Sequence, residues 1–254
     1  MKLTFLGTGT SKGVPEIGCT CPTCLSTDPR DKRLRVSALI ETDDTRILID
    51  CGPDFRTQML NVPFRRIDGV LLTHEHYDHT GGIDDLRPFC RFGDIEVFAD
   101  ALTHQHLRER LPYFFREVLY PGVPVLHFHT IKPYEPFIIK NIEIIPLQIM
   151  HGNLPILGFR IGKLGFVTDM TNAPEETLSQ LMGVDTLVIG ALRDKPHATH
   201  QTIAEAIEVA RRVKAHETYL VHMNHEAGLH AATDATLPKH VHLAYDGLVI
   251  EIEG

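Results

Sequence analysis

The run Thr73-His74-Glu75-His76-Tyr77-Asp78-His79 places His74, His76, Asp78 and His79 within a single short stretch of chain. On one straight strand, side chains two apart share a face and cannot surround an ion. A loop leaving a strand end turns them inward at different angles and can serve two adjacent ions. Such a density of ligands beside a strand end favours a metal site over a His-rich surface loop. Imidazole and carboxylate without thiolate suit Zn, Mn or Fe rather than Cu(I). The chain has 16 histidines, an excess that points the same way.

Cys19-Thr20-Cys21-Pro22-Thr23-Cys24 is a second metal signal. Cys-Pro-x-Cys is a tight turn that brings two thiolates onto one zinc, and Cys19 offers a third sulfur. A structural zinc needs four ligands, so the fourth comes from elsewhere. Cys51 and Cys90 are possible, but His225 is better placed, three residues past His222 on the loop leaving the same strand. Otherwise Cys51 and Cys90 read as small buried hydrophobes. In a reducing compartment the 5 cysteines are expected to be ligands or core residues, not disulfides.

The elements that must position these residues follow from apolar periodicity. Strands are expected at 2–7, 36–41, 46–50, 68–73, 95–99, 142–147, 156–161, 164–168, 186–189, 218–221 and 248–252. Thr42-Asp43-Asp44 joins two of them as a hairpin. Helices are expected at 54–60, from Gly81-Gly82 through Ile83, Leu86 and Phe89, and at 102–111, 174–182 and 201–214. In the last, Ile203, Ala206, Ile207 and Ala210 share a face. The stretch 121–137, rich in Pro and His, has no clear period. No linker or repeat interrupts the pattern, so residues 1–254 read as one domain of two mixed sheets flanked by helices.

Composition narrows the function classes. With 43% hydrophobic and 23% charged residues, the chain is of ordinary globular type. No apolar run approaches the roughly 20 residues that span a bilayer, and the N-terminal run is short for an export signal. A cytoplasmic location without membrane contact is the expectation. A net charge of -8 argues against broad phosphate-backbone binding. Arg30, Lys32, Arg33 and Arg35 read as a solvated loop rather than a basic patch.

Thr-His-x-His-x-Asp-His followed by Gly-Gly resembles the signature of the metallo-β-lactamase superfamily, and the opening Phe5-Leu6-Gly7-Thr8-Gly9 extends the resemblance. It implies a four-layer αββα sandwich, of α+β or α/β class, with a dinuclear site at one edge of the sheets. The ligands implied are His74, His76 and His151 on one ion and Asp78, His79 and His222 on the other. Asp169 would bridge them. Alone, His151 or His222 reads as an ordinary polar residue at a strand end, and Asp169 as a turn cap. They gain weight jointly, in order, each beside an apolar strand. Asp50, after Ile47-Leu48-Ile49, resembles the family's buried Asp that orients metal-binding histidines; a plain turn residue is the alternative.

The cysteine cluster with His225 resembles the clan that includes phosphoribosyl cyclic-phosphate phosphodiesterases. The resemblance implies one structural Zn and two active-site ions, Mn or Zn. It also implies hydrolysis of a small, cyclic phosphodiester by hydroxide generated between those ions, which hold Asp78 among their ligands. His200, ahead of the helix Gln201-Thr202-Ile203, is the candidate acid for the leaving group, with helix capping or phosphate contact as its alternatives and His197 a weaker claimant. A transfer-RNA 3′-processing endonuclease is the competing enzyme, but the short segment from His151 to Asp169 leaves no room for an RNA-gripping arm. A non-catalytic metal-binding module is the reading from another class. The expected partner is a small phosphodiester rather than nucleic acid, with a homodimer possible. Arg108, Arg110 and Arg116 read as solvated helix charges, and 101–130 as the region that grips the substrate.

Overall fold

In a computed structural model, residues 1–116, 118 and 122–252 are described. Pro121, where the stretch without a clear period begins, lies outside them. The first sheet runs, across its width, β14 (Val249–Glu251), β1 (Lys2–Gly7), β2 (Ser37–Glu41), β3 (Arg46–Ile49), β4 (Gly69–Leu71), β5 (Ile95–Ala99) and β6 (Leu126–Thr130). The second runs β13 (Val241–Leu243), β12 (Glu217–Val221), β11 (Thr186–Gly190), β10 (Leu164–Val167), β9 (Leu154–Ile161), β8 (Ile142–His151) and β7 (Phe137–Ile139).

Leu3, Phe5, Ile40, Ile49, Phe159, Phe166, Val188 and Val221 fill the space between the sheets. The outer face of the first sheet packs on α2 (Phe55–Met59) through Phe55 and Met59, and on α4 (Ala101–Arg110) through Leu107. The outer face of the second packs on α5 (Glu175–Gln180) and α6 (Ile203–Val213), which bury Leu178, Ile203, Ala206 and Ala210. This is the αββα sandwich expected from the sequence. The short helices α1 (Pro22–Leu25), α3 (Tyr77–Thr80) and α7 (His230–Asp234) lie in loops.

The topology decides where chemistry can sit. β3, β4, β5 and β6 are parallel, as are β10, β11, β12 and β13. Parallel strands deliver their carboxyl ends to one edge, where loops gather side chains on a rigid frame.

Several details depart from the sequence reading. Ile83–Phe92 is a 3-10 helix rather than an α-helix, with Pro88 inside it. The helix expected at 201–214 begins at Ile203: Thr202 accepts from Glu205 N at 3.2 Å while the Glu205 carboxylate accepts from Thr202 N at 2.8 Å. Its end is set by Lys214, at φ 55°. β8 continues to His151 rather than ending at Leu147. β6, β7 and β13 have no counterpart among the strands that apolar periodicity predicts. Arg33 is not solvated: it is 5% exposed and donates to Thr8 Oγ1 at 2.8 Å and to Ala244 O at 2.6 Å. Its loop folds back beside the segment after β1, where Gly9 pairs with Arg35. Among the described residues, no helix is long and apolar enough to cross a membrane.

Candidate metal centre

Asp50, His74, His76, Asp78, His79, His151, Asp169 and His222 all come to one edge of the sandwich, His151 as the last residue of β8 and the others on the loops after β3, β4, β10 and β12. Asp50, Asp169 and His222 carry positive φ values of 59°, 56° and 59°. The left-handed region is costly for residues with a Cβ, and it persists where surrounding structure over-determines it. Here it turns each side chain off its strand end and into the shared space.

His74, His76 and His151 offer ring nitrogens within 4.8 Å of one another, and so do the ligand atoms of Asp78, His79 and His222. Asp169 lies between the two trios. Its Oδ1 is 3.0 Å from His222 Nε2 and its Oδ2 is 3.3 Å from His79 Nε2. Asp169 also groups with His74 and His79, and with His151 and His200. All of the residues expected at a dinuclear site are thus brought together.

The atoms facing the centre suit cations. Nε2 of His79 and of His222 are buried with no hydrogen-bond partner, an arrangement that needs an explanation in a folded protein. Burial alone would lower His79, yet Asp78, Asp169 and Asp50 together push it well above its ordinary value. Burial opposes His222 likewise, and Asp169 and Asp78 raise it to about 9. In return Asp78 and Asp169, though buried, are held well below the usual carboxylate range by these two imidazoles. The carboxylates thus draw protons onto their neighbours, and divalent cations binding there would displace those protons. His74 is different: burial, then His79, keeps its ring neutral and so able to ligate.

Surrounding groups fix ring orientation. Asp50 is fully buried, and its Oδ2 accepts from His79 Nδ1 at 2.6 Å. Thr73 N and Thr73 Oγ1 donate to the same carboxylate at 2.9 Å each. His151 Nδ1 donates to the Thr199 carbonyl at 2.8 Å, leaving Nε2 for the centre. That carbonyl is invisible in the sequence because it is a backbone group.

His200 stands over the centre without joining either trio. Its ring lies 4.8 Å from that of His222 and 4.7 Å from that of His151, with Nδ1 3.7 Å from Asp169 Oδ1. Burial, then His222, pushes it down to about 3, so it rests neutral. The His197 ring lies beside it, tilted by 38°, with centroids 5.1 Å apart. Beside them is a polar cavity of about 250 Å³, with Ser11, Lys12 and Arg193 on its walls.

Cys19, Cys21, Cys24 and His225 form a separate cluster, with ligand atoms within 4.8 Å. His225 Nδ1 is 3.4 Å from Cys19 Sγ and 3.2 Å from Cys21 Sγ. The Cys24 N–H and then His225 lower the Cys21 thiol to about 6, which favours the thiolate a metal requires. Cys51 is fully buried in the apolar layer above the first sheet and takes no part.

Residues 45–223 match the family described as the beta-lactamase superfamily domain. A crystal structure of a new diphosphatase from the PhnP family superposes with a TM-score of 0.91 at 37% identity, covering 98% of this chain and 96% of that one. An octanoyltransferase of Porphyromonas gingivalis is 47% identical over 98% of this chain, but the chain spans only 51% of that relative's length. The short form of human tRNase Z shares the fold, with a TM-score of 0.71 at 20% identity over 100% of both chains. With the matched family covering most of the sandwich and the edge that bears its histidines, the chain belongs to the metallo-β-lactamase superfamily.

Proposed function

We propose that this superfamily hydrolase cleaves a small phosphodiester, and that a cyclic phosphate is its natural form. The observation that carries this reading is His200, an ionisable ring placed over the two trios but outside both. Hydrolysis of an anhydride or a thioester expels a stable anion that needs little help, whereas an alkoxide needs a proton. The named diphosphatase, similar along the whole chain, supports phosphoryl chemistry.

When bound by the trios, divalent ions lower the pKa of water and neutralise phosphoryl oxygens. The chain's residues do the rest. His74, His76 and His151 would hold one ion, Asp78, His79 and His222 the other, with Asp169 shared. Asp50 keeps the His79 ring turned inward. His200 starts neutral; an anionic phosphate arriving beside it raises its affinity for a proton, so that the ring takes one from solvent water and passes it to the departing oxygen. Zn suits the cysteine cluster, and Zn or Mn the centre.

General-acid assistance contributes roughly 10²–10⁴ in rate. His200→Ala should therefore slow a cyclic ribose phosphate by about that factor while slowing a para-nitrophenyl diester far less. Equal losses on both substrates would remove the acid role.

A second reading rests on the octanoyltransferase relative, which favours an acyl thioester as substrate. A dinuclear centre would also suit thioester hydrolysis, but that relative has about as much chain again outside the region of similarity. A transfer-RNA substrate is less favoured, because β8 and β9 meet at the tight turn Gly152-Asn153, with no projecting arm between them. Screening cyclic phosphates, linear diesters, diphosphates, octanoyl thioesters and precursor transfer RNA, with Zn and with Mn, separates these readings. Turnover confined to thioesters would overturn the phosphodiesterase reading.

A further inference from the structure

Glu16 makes more contacts around the cysteine cluster than its place on a loop requires. Its backbone N–H points at Cys24 Sγ, at 3.4 Å. Its carbonyl accepts from Cys19 N at 3.0 Å. One carboxylate oxygen, Oε2, lies 3.3 Å from His225 Nε2, the nitrogen facing away from the sulfurs. The other, Oε1, holds Lys12 Nζ at 2.8 Å. A single residue thus touches three of the four cluster residues and one lysine.

Those contacts lead somewhere. Lys12, Glu16, His225 and His200 all line the same polar cavity of about 250 Å³. A carboxylate on the outer nitrogen of a metal-binding imidazole fixes the ring's tautomer and direction. The same carboxylate fixes where the Lys12 ammonium stands in the cavity. Lys12 is itself well exposed, so without this tether its flexible stem would sample many positions.

We propose that Glu16 is a positioning residue that couples the Cys19-Cys21-Cys24-His225 cluster to the wall of the cavity beside His200. The coupling rests on the reading of that cluster as a metal site. It gives the cluster a role beyond tying the chain together: its geometry sets the lysine that the leaving side of the substrate meets.

The test uses the full chain loaded with zinc, and separately with cobalt at the cluster, where thiolate-to-cobalt absorption reports ligand geometry. Glu16→Ala should release zinc from the cluster to a chromogenic chelator about 10–100-fold faster, the usual consequence of removing such an outer partner, and should shift the cobalt bands. Glu16→Gln, whose amide oxygen still accepts from the ring, should recover much of the zinc retention. With bis(para-nitrophenyl) phosphate as probe, Lys12→Ala and Glu16→Gln should each raise KM severalfold with a smaller change in kcat. Lys12→Ala should leave zinc release as it is in the unmodified chain. Release and spectrum unchanged in Glu16→Ala, with the ion present, overturn the coupling alone. KM unchanged in both Lys12→Ala and Glu16→Gln also overturns it. An unmodified chain that takes up neither zinc nor cobalt at the cluster removes the metal reading and the coupling together.

Discussion

His74, His79 and His151 are oriented through their outer nitrogens, by Thr73 Oγ1, Asp50 and the Thr199 carbonyl, so the groups behind these rings matter nearly as much as the rings. Asp50 is the clearest case. It has no path to an ion except through His79, and it is held by Thr73 from two sides. Replacing it with Asn keeps the shape and tolerates the left-handed backbone at φ 59°, but it removes the charge that anchors the His79 N–H. Asp50→Asn should weaken metal binding at the centre by about 10–100-fold with little loss of folding stability. Chelator competition measures the first and thermal melting the second; unchanged metal affinity would show that Asp50 is only a turn residue. His74, His76, Asp78 and His79 were legible in the sequence because they cluster in one motif, whereas Asp50, His151, Asp169 and His222 were legible only through the family resemblance, since alone each reads as an ordinary residue at a strand end. Their supports were not. Thr199 acts through its carbonyl, and Glu16 lies in a loop with no motif around it.

At the scale of elements, strands buried on both faces announced themselves as apolar runs, whereas edges did not. β6 reads Leu-His-Phe-His-Thr and is mostly exposed; its histidines pair across the strand with Asp94 and Glu96. Nothing in its local pattern separates it from a loop, and only pairing with β5 makes it a strand. The helix α4 gave a similar lesson. Arg110, expected to be solvated, reaches back from its last turn to the histidine loop, donating to Glu75 O at 3.2 Å and Thr80 Oγ1 at 2.5 Å. Thr80 Oγ1 in turn donates to His76 O at 2.9 Å. One guanidinium thereby pins both ends of the segment carrying His76 and Asp78. Lysine offers a point charge on a flexible stem and lacks the rigid planar fork with which Arg110 meets the two acceptors. Arg110→Ala and Arg110→Lys should therefore both lose metal on dialysis about tenfold more readily, by the logic of outer partners. Excess metal should restore their turnover. Full retention of metal in Arg110→Lys would show that charge, not the two-pronged hold, is what the loop uses.

At the scale of the whole molecule, the chain's two ends meet on β1, and the meeting point titrates. Asp246, leading into β14, accepts from Thr8 Oγ1 at 2.8 Å and from Leu34 N at 2.6 Å, with Arg33 also bonded to Thr8. Burial raises its carboxyl to about 6, against the opposing pull of these donors and of Arg33. An unfolded Asp titrates near 3.9. Between those values the folded state binds more protons than the unfolded one, so stability falls as pH rises from about 4 to about 6 and is flat above. A shift of this size corresponds to on the order of 3 kcal/mol. Glu41 works in the opposite sense: despite burial, Lys2, Arg46 and Arg65 hold it down to about 2. Its contribution is present above an ordinary carboxyl pKa and disappears as the pH falls from about 4.5 to about 2. The two windows therefore separate. Asp246→Asn cannot titrate, and background changes, including protonation of the histidine centre, cancel in the difference between the two proteins. Urea unfolding of both should show the unmodified chain losing up to about 3 kcal/mol relative to Asp246→Asn as the pH rises from about 4 to about 7. A difference that stays level across that range would mean that Asp246 keeps an ordinary carboxyl in the fold, and that water reaches the joint between the two ends.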